Sequence, residues 1–483
     1  MSHCSAETAE GVRQVIARLR APLQVAVAGR ISSGKSTLVN ALIGRRVAPT
    51  AVGECTRLVT RFSYGNVDRV EVVLRDGSRQ ALPFDADGMM PADVARQAGV
   101  TLPQVSHLEA YLTSSLLTTL TVIDTPGLGS VNDDSVARTV DVLDDISRSA
   151  VAGAEAVLYV LTQSVRADDA EVLTTFTAAT AGRAAGPVNA LALLNKADTL
   201  APESVAGAGD NVWAAARLVA ARQAQLLGPR VADVLPVVGL LAETCESGAF
   251  EAADADALRT VAATDADTCA AMLLAADLFL SLDCPVDVAV RQRLLERLDL
   301  YGIACAVRAL RADPHMPVGR LRAALDGASG LAPVRDRLTE VFSVRADAIK
   351  AAAALASLTS LAQASEDATD QQLVRGGIER LLRLPEAHQL RMMEALTLVS
   401  SGAVQLPAEL AHEALRLGTS TDPRVQLAMP GARVDQLATC ALERAGWWRS
   451  FASLGASAGQ ERVAHVVHRA YFLLWQQLQG ASS

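Results

Sequence analysis

A chain of 483 residues that is 50% hydrophobic and 20% charged is long enough for more than one core and too apolar to be disordered. Its net charge of −9 argues against nucleic acid as the main partner, since a phosphate-tracking face normally leaves a basic excess. Aromatics make up only 4%, and with abundant alanine this favours closely packed helices over large β-sandwiches.

The first ten residues show no basic stretch followed by an apolar core, so no signal peptide is expected. Residues 6–20 read as an amphipathic helix with Val12, Val15, Ile16 and Leu19 on one face. Residues 1–20 are assigned to an N-terminal neck helix that packs with later segments; a free membrane anchor is the alternative. A buried strand over 23–28 then runs into Gly29-Arg-Ile-Ser-Ser-Gly34-Lys35-Ser36, which is the P-loop pattern between a strand and a helix. Gly29, Ser33, Gly34, Lys35, Ser36 and Thr37 are expected to form a phosphate cradle at a helix N-terminus. Lys35 would neutralise the β- and γ-phosphates, and Ser36 would ligate Mg²⁺. The pattern alone does not separate ATP from GTP.

Residues 48–57 read as a switch, in which a threonine must reach Mg²⁺ and the γ-phosphate. Thr56 is preferred because it directly precedes a strand over 57–64, and Thr50 is the alternative. Strands over 69–75 and 78–84 flank Asp76-Gly77, a strong hairpin signal. A strand over 120–123 ends in Asp124-Thr125-Pro126-Gly127, where the aspartate would hold the Mg²⁺ shell and the Gly127 amide the γ-phosphate. Leu128 stands where small signalling GTPases carry a water-orienting glutamine. Strands over 156–161 and 188–194 follow, the second ending in Asn195-Lys196-Ala197-Asp198. The Asp198 carboxylate there would accept from guanine N1 and N2, with the Lys196 stem over the base. The three motifs, in this order, specify guanine nucleotide.

After a strand over 234–238 the strand signal stops. Helices are expected over 253–282, along a face carrying Val290, Leu294, Leu298, Tyr301 and Cys305, and over 331–364, 370–384, 386–400, 430–447 and 459–479. The most apolar helical stretch, 351–364, is shorter than the roughly 20 residues a bilayer span needs. The expected fold is an α/β P-loop GTPase domain over 21–245, a mostly parallel sheet with an antiparallel hairpin, and an all-α neck and trunk bundle over 246–483. Seven cysteines are scattered without CxxC spacing, as buried thiols in a reducing compartment would be. Of 44 basic residues only Lys35, Lys196 and Lys350 are lysines, and two of these lie in nucleotide motifs.

The segments GRISSGKSTLVNALIG, APTAVGECTR, DTPGLGS and NKAD resemble bacterial dynamin-like GTPases. So do VLPVVGLLAET, CPVDVAVRQRLLERLDLYGI and DGASGLAPVRDRLTEVFSVRADAIKA, in the manner of the actinobacterial isoniazid-inducible branch. The likeness runs over about residues 20–350. It implies GTP/GDP binding with Mg²⁺, GTP hydrolysis, and a homodimer formed through the G domains on GTP binding. It also implies remodelling of the cytoplasmic membrane, from a peripheral position on its inner face. The other reading is a nucleotide-gated partner of a longer dynamin-like protein, with slow turnover and little membrane affinity of its own. A ribosome- or RNA-associated GTPase is disfavoured by the acidic balance.

The resemblance also extends the site. Val238 and Gly239 fall in the final base loop, in place of the family's serine–alanine pair. The family's P-loop glutamine and serine correspond to Ile31 and Ser32, so Ser32 matches and the glutamine does not. Ser32, Lys35 and Thr56 form the implied catalytic set, and Ser36, Thr56 and Asp124 the implied metal ligands. Asp168 and Asp169 fall where dynamins touch across a dimer. Two segments are weak candidates for membrane contact, residues 446–451 with Trp447 and Trp448, and residues 315–318. The arginines between 291 and 311 read as a solvated face with neck contacts.

Overall fold

The structure, a computed structural model, describes residues 4–49, 58–126, 150, 154–162, 173, 189–343, 346–383, 387–400, 404–453 and 456–480. Thr50, Thr56, Gly127, Leu128, Asp168 and Asp169 lie outside these described residues.

Nine described strands form one sheet: β1 (Leu23–Gly29), β2 (Thr60–Tyr64), β3 (Arg69–Leu74), β4 (Arg79–Leu82), β5 (Val105–Leu112), β6 (Leu120–Asp124), β7 (Ala156–Thr162), β8 (Ala190–Asn195) and β9 (Val234–Pro236). Their order is β4-β3-β5-β2-β6-β1-β7-β8-β9. From β6 to β9 every pairing is parallel, while β2 runs antiparallel to β6 and opens the mixed half. The expected mostly parallel sheet with the β3–β4 hairpin is present. β1, β7 and β8 are buried almost throughout, as their continuous apolar runs require of strands covered on both faces. β5 was not anticipated. Its signal is a half-buried alternation, with Leu108, Ala110 and Leu112 inside and Glu109 and Tyr111 partly out.

The described α-helices of six residues or more are α1 (Ala6–Arg20), α2 (Lys35–Ile43), α3 (Val212–Leu227), α4 (Gly239–Glu246), α5 (Ala252–Ala262), α6 (Ala266–Met272), α7 (Ala276–Ser281) and α8 (Val288–Ala312). They continue with α9 (Val318–Ser329), α10 (Leu331–Leu338), α11 (Ala346–Ala364), α12 (Ala368–Arg383), α13 (His388–Ser400), α14 (Ala408–Thr419), α15 (Val434–Ser453) and α16 (Ala458–Gly480). The block expected over 253–282 is three helices, because the Asp265 side chain accepts from Thr268 N and starts a new one. The helix expected over 331–364 is interrupted by a π-helical turn at Thr339–Ser343. α9 and α14 were not foreseen.

The helical half is built into the sheet's core. Leu331, Val334, Leu338, Val341, Phe342, Ile349 and Ala352 share one buried cluster with Val25, Leu38 and Leu158. α1 packs on α11, where the Lys350 ammonium donates to Ala21 O just before β1. The Ser5 hydroxyl at the start of α1 donates to the Asp370 carboxylate of α12 at 2.5 Å. The arginines of α8 make neck contacts: buried Arg291 donates to Phe279 O and Leu282 O, and Arg297 pairs with buried Asp254 at 2.6 Å.

A second core joins α13 to α16. Trp448 is 0% exposed and donates to Glu413, which also accepts from Arg444 and Tyr471. Trp447 stacks on Phe451 and under Arg444. Within the 446–451 segment Trp448 is thus core, whereas Trp447, Arg449 and Ser450 are exposed. In the other membrane candidate, Met316 packs on the neck cluster and its carbonyl accepts from Arg259. No helix among the described residues is long and apolar enough to cross a membrane.

Arg444 and the two ring donors hold the Glu413 carboxyl below its usual range, against the opposing effect of burial. Its contribution is complete above the unfolded value of about 4.3 and is lost as pH falls through the lower folded value. Glu413→Ala is expected to cost about 3 kcal/mol in urea unfolding at pH 7, with the gap to wild type narrowing below about pH 4.

Candidate functional site

The carboxyl ends of β1, β6 and β8 meet along one edge, the usual place for a ligand in an open parallel sheet. β1 turns at Gly29 (φ 149°), the loop passes through Ser32 (φ 61°) and Gly34 (φ 87°), and α2 starts at Lys35. A Cβ on Gly29 would lie 2.5 Å from Val160 O, and one on Gly34 would lie 2.3 Å from Asn195 Nδ2. Only glycine fits at either place.

Lys35 Nζ donates to Gly29 O at 3.1 Å and to Arg30 O at 3.0 Å, folding the ammonium back into its own loop. Ser36 Oγ donates to Asp124 Oδ2 at 2.8 Å, and Thr125 Oγ1 pins the next turn to Val27 O. Burial pulls the Lys35 pKa down, with the Asp124 charge opposing. Burial pushes the Asp124 carboxyl up against the pull of Lys35, Ser36 and the Thr125 amide. Ser33 Oγ and Asp124 Oδ1 are buried with no hydrogen-bond partner among the described residues. Each such orphan costs about 1–3 kcal/mol. A phosphate and a divalent cation would supply what this donor set lacks, so the residues present fit both. Thr37 is half-buried in the first turn of α2, whereas Ser32 and Ile31 are exposed.

The base side is held by Asn195. Its Nδ2 donates to Ser33 O at 2.8 Å and its Oδ1 accepts from Gly239 N at 2.9 Å. A Cβ on Gly239 would sit 2.8 Å from Asn195 Oδ1. Lys196 adopts φ 57°, and Ala197 N donates to Val237 O, so the two loops are joined by backbone as well. Val238 is buried, with its N–H donating to Ser329 O. The half-buried Asp198 carboxyl is pushed up by burial and then by the charge of Asp299, while its own backbone N–H and Lys196 oppose.

Two supporting groups escaped the sequence reading. Asn40 in α2 uses both amide ends: it donates to Ala48 O and Glu243 Oε1 and accepts from Val47 N and Ala48 N. It thereby ties α2 and the start of the 48–57 segment to α4. Arg335 of α10 pairs bidentately with Glu246 and donates to Ala41 O. Asn40 had a readable signal, a polar residue inside the otherwise apolar stretch LVNALI. Arg335 had none, because its partners are remote in sequence.

A model of the dynamin family matches residues 25–179. The isoniazid-induced protein IniC of Mycobacterium tuberculosis is 31% identical over 439 residues, which cover 90% of this chain and 85% of that protein. The bacterial dynamin-like protein of Nostoc punctiforme is 29% identical over 147 residues, 29% of this chain and 20% of that one. A solved structure described as an oligomerised bacterial dynamin pair aligns at 12% identity, covering 99% of this chain and 72% of that chain, with a TM-score of 0.33. That score is too low to argue from.

Gly239→Ala is expected to break the Asn195 clamp. It should destabilise the fold by about 1–3 kcal/mol and weaken nucleotide affinity at least tenfold, read by thermal unfolding and by fluorescent-nucleotide titration.

Proposed function

The chain belongs to the bacterial dynamin-like GTPases, in the branch of the isoniazid-induced proteins, and on that premise we propose that it binds and hydrolyses GTP at this edge of the sheet and self-associates through its G domain when loaded. The work done is remodelling or stabilising the cytoplasmic membrane, from a peripheral position on its inner face. One observation carries the nucleotide reading: Ser33 Oγ and Asp124 Oδ1 are buried orphans beside Lys35 and Ser36, with the half-buried Asp198 on the adjoining loop.

GTP with Mg²⁺ brings the anionic oxygens, the hard cation and the base donors that this set of side chains lacks. The P-loop amides and the Lys35 ammonium would then hold the phosphates, Lys35 leaving its own loop carbonyls. Ser36 and Asp124 would exchange their mutual hydrogen bond for places around the cation, joined by Thr56 from the switch segment. Ser32, at the exposed crest of the loop, would turn its hydroxyl towards the phosphate chain. Gly127 would offer its amide to the terminal phosphate. Asp198 would accept from the base, with Lys196 over its face and Val238 and Gly239 closing the far side.

The second reading, a slow nucleotide-gated partner of a longer dynamin-like protein, draws on Ile31. This side chain is 58% exposed in the crest of the P-loop and has no amide with which to orient water. Co-sedimentation with anionic liposomes, with and without a non-hydrolysable GTP analogue, separates the two. Nucleotide-dependent pelleting together with turnover that rises faster than protein concentration supports the first. No lipid binding, alone or beside a longer partner, overturns it. In the same assays Lys35→Ala should abolish nucleotide binding, and Asp198→Asn should move preference from guanine towards xanthine.

A further inference from the structure

One buried side chain fixes the point at which the switch segment leaves the core. Asn40 in α2 is buried, and both ends of its amide meet the backbone of Ala48. Nδ2 donates to Ala48 O at 2.9 Å, while Oδ1 accepts from Ala48 N at 2.8 Å and from Val47 N at 3.0 Å. Val47 O in turn accepts from Met90 N at 3.1 Å. All four backbone polar groups of Val47 and Ala48 are therefore taken, and both side chains are buried in the sheet's core. At Ala48 a side-chain amide does what a neighbouring strand would do. Pro49 follows, and its ring restricts the backbone of Ala48 as well as its own.

The amide is also held against turning over. Its Nδ2 donates to Oε1 of buried Glu243 at 2.7 Å, and a flipped amide would set an oxygen there and N–H groups against Val47 N and Ala48 N. Arg46 donates to the other Glu243 oxygen at 3.3 Å. The same helix carries the phosphate and cation side of the site. Lys35, Ser36 and Thr37 open α2, Ser36 Oγ donates to Asp124 Oδ2 at 2.8 Å, and Asn40 lies about one turn beyond Ser36. Glu243 belongs to α4, whose first residue, Gly239, donates its N–H to Asn195. The root of the 48–57 segment is thus set against two helices, one starting at the phosphate loop and one at the base loop.

We propose that Asn40 is a positioning residue for GTP hydrolysis, acting through the backbone of Ala48. It holds the root of the switch segment in fixed relation to Ser36, so that the segment's threonine reaches the cation and the terminal phosphate. This rests on the nucleotide reading above. GDP lacks the terminal phosphate and is held by the phosphate loop and the base loops, so its affinity does not depend on where the switch starts. Turnover does, because a small misplacement of a reacting group is costly in rate. A role confined to the stability of α2 would lower GDP affinity and turnover together.

The test compares GTP turnover, read by phosphate release, with the affinity of a fluorescent GDP analogue, in the full chain and its Asn40→Asp and Glu243→Ala variants. Aspartate keeps the acceptor for Val47 N and Ala48 N, loses the donor to Ala48 O, and meets Glu243 with like charge. Glu243→Ala leaves Asn40 in place and frees its amide to turn. Asn40→Asp is expected to lower kcat about tenfold or more, and Glu243→Ala about threefold, each with GDP affinity changed less than about twofold. Turnover and GDP affinity falling together, or an unchanged kcat in Asn40→Asp, overturns the proposal. Where Asn40→Asp does not fold, Glu243→Ala is read by the same outcomes. Amide exchange in the wild-type chain needs neither variant. Slow exchange at Val47 and Ala48 with GDP and with a non-hydrolysable GTP analogue supports the fixed root, and fast exchange in either state overturns it. Failure of the underlying reading looks different: the wild-type chain would then bind no GDP and hydrolyse no GTP.

Discussion

Asn195 uses both ends of one amide on backbone, donating to Ser33 O in the phosphate loop and accepting from Gly239 N at the start of α4. Three separate stretches of chain are held in register by this side chain. Aspartate could not donate and leucine could not accept, so the position needs a short amide. The same contact makes glycine obligatory on both flanks, since a Cβ at Gly34 or Gly239 would run into it. Asn195 opens the NKAD motif, and its amide joins the P-loop to the start of α4.

Three buried polar groups away from the P-loop are well served. Asn40 makes four hydrogen bonds, Asp254 faces Arg293 and Arg297, and Glu413 collects three donor residues. At the P-loop the opposite holds. Lys35 turns to its own carbonyls, Ser36 and Asp124 pair with one another, and two oxygens are left without donors. These two oxygens sit beside the P-loop lysine and serine, where a charged ligand would complete the set.

Most of the sheet was legible because its strands advertise themselves. LQVAVAG and ALALLN are apolar throughout, and the nucleotide motifs stand at the ends of strands where such motifs must stand. β5 escaped because a half-buried strand carrying His107, Glu109 and Tyr111 has a weak period. α10 and α11 were recognised as helical, but periodicity does not say what a helix packs against. Leu331 and Phe342 look like any bundle residues until the structure sets them beside Val25 and Leu158. Trp447 and Trp448 illustrate the same gap: adjacent and alike in sequence, one is a core residue with a buried partner and the other is 40% exposed.

This packing limits how the helical half can respond to nucleotide. Leu331, Val334, Leu338, Val341 and Phe342 are each at most 4% exposed within the sheet's own core. Exposing five such side chains costs about 10 kcal/mol, whereas coupling between a ligand and a distant conformation is usually about 1–3 kcal/mol. A ligand moves an equilibrium only by its differential affinity for the two states, so residues 331–342 stay on the sheet. The contact between sheet and trunk is slighter. Beside β9 and α3 a cleft of about 340 Å³ lies between Asp233 and Arg337 on one side and His412 and Arg416 on the other. Across it Ser420 Oγ reaches Glu340 at 3.4 Å, a long hydrogen bond. α13 belongs to both bodies, with Met393 in the sheet's core and Met392 in the trunk's. Trunk movement relative to the sheet is therefore cheapest across that cleft, and α13 is the element that has to turn with it.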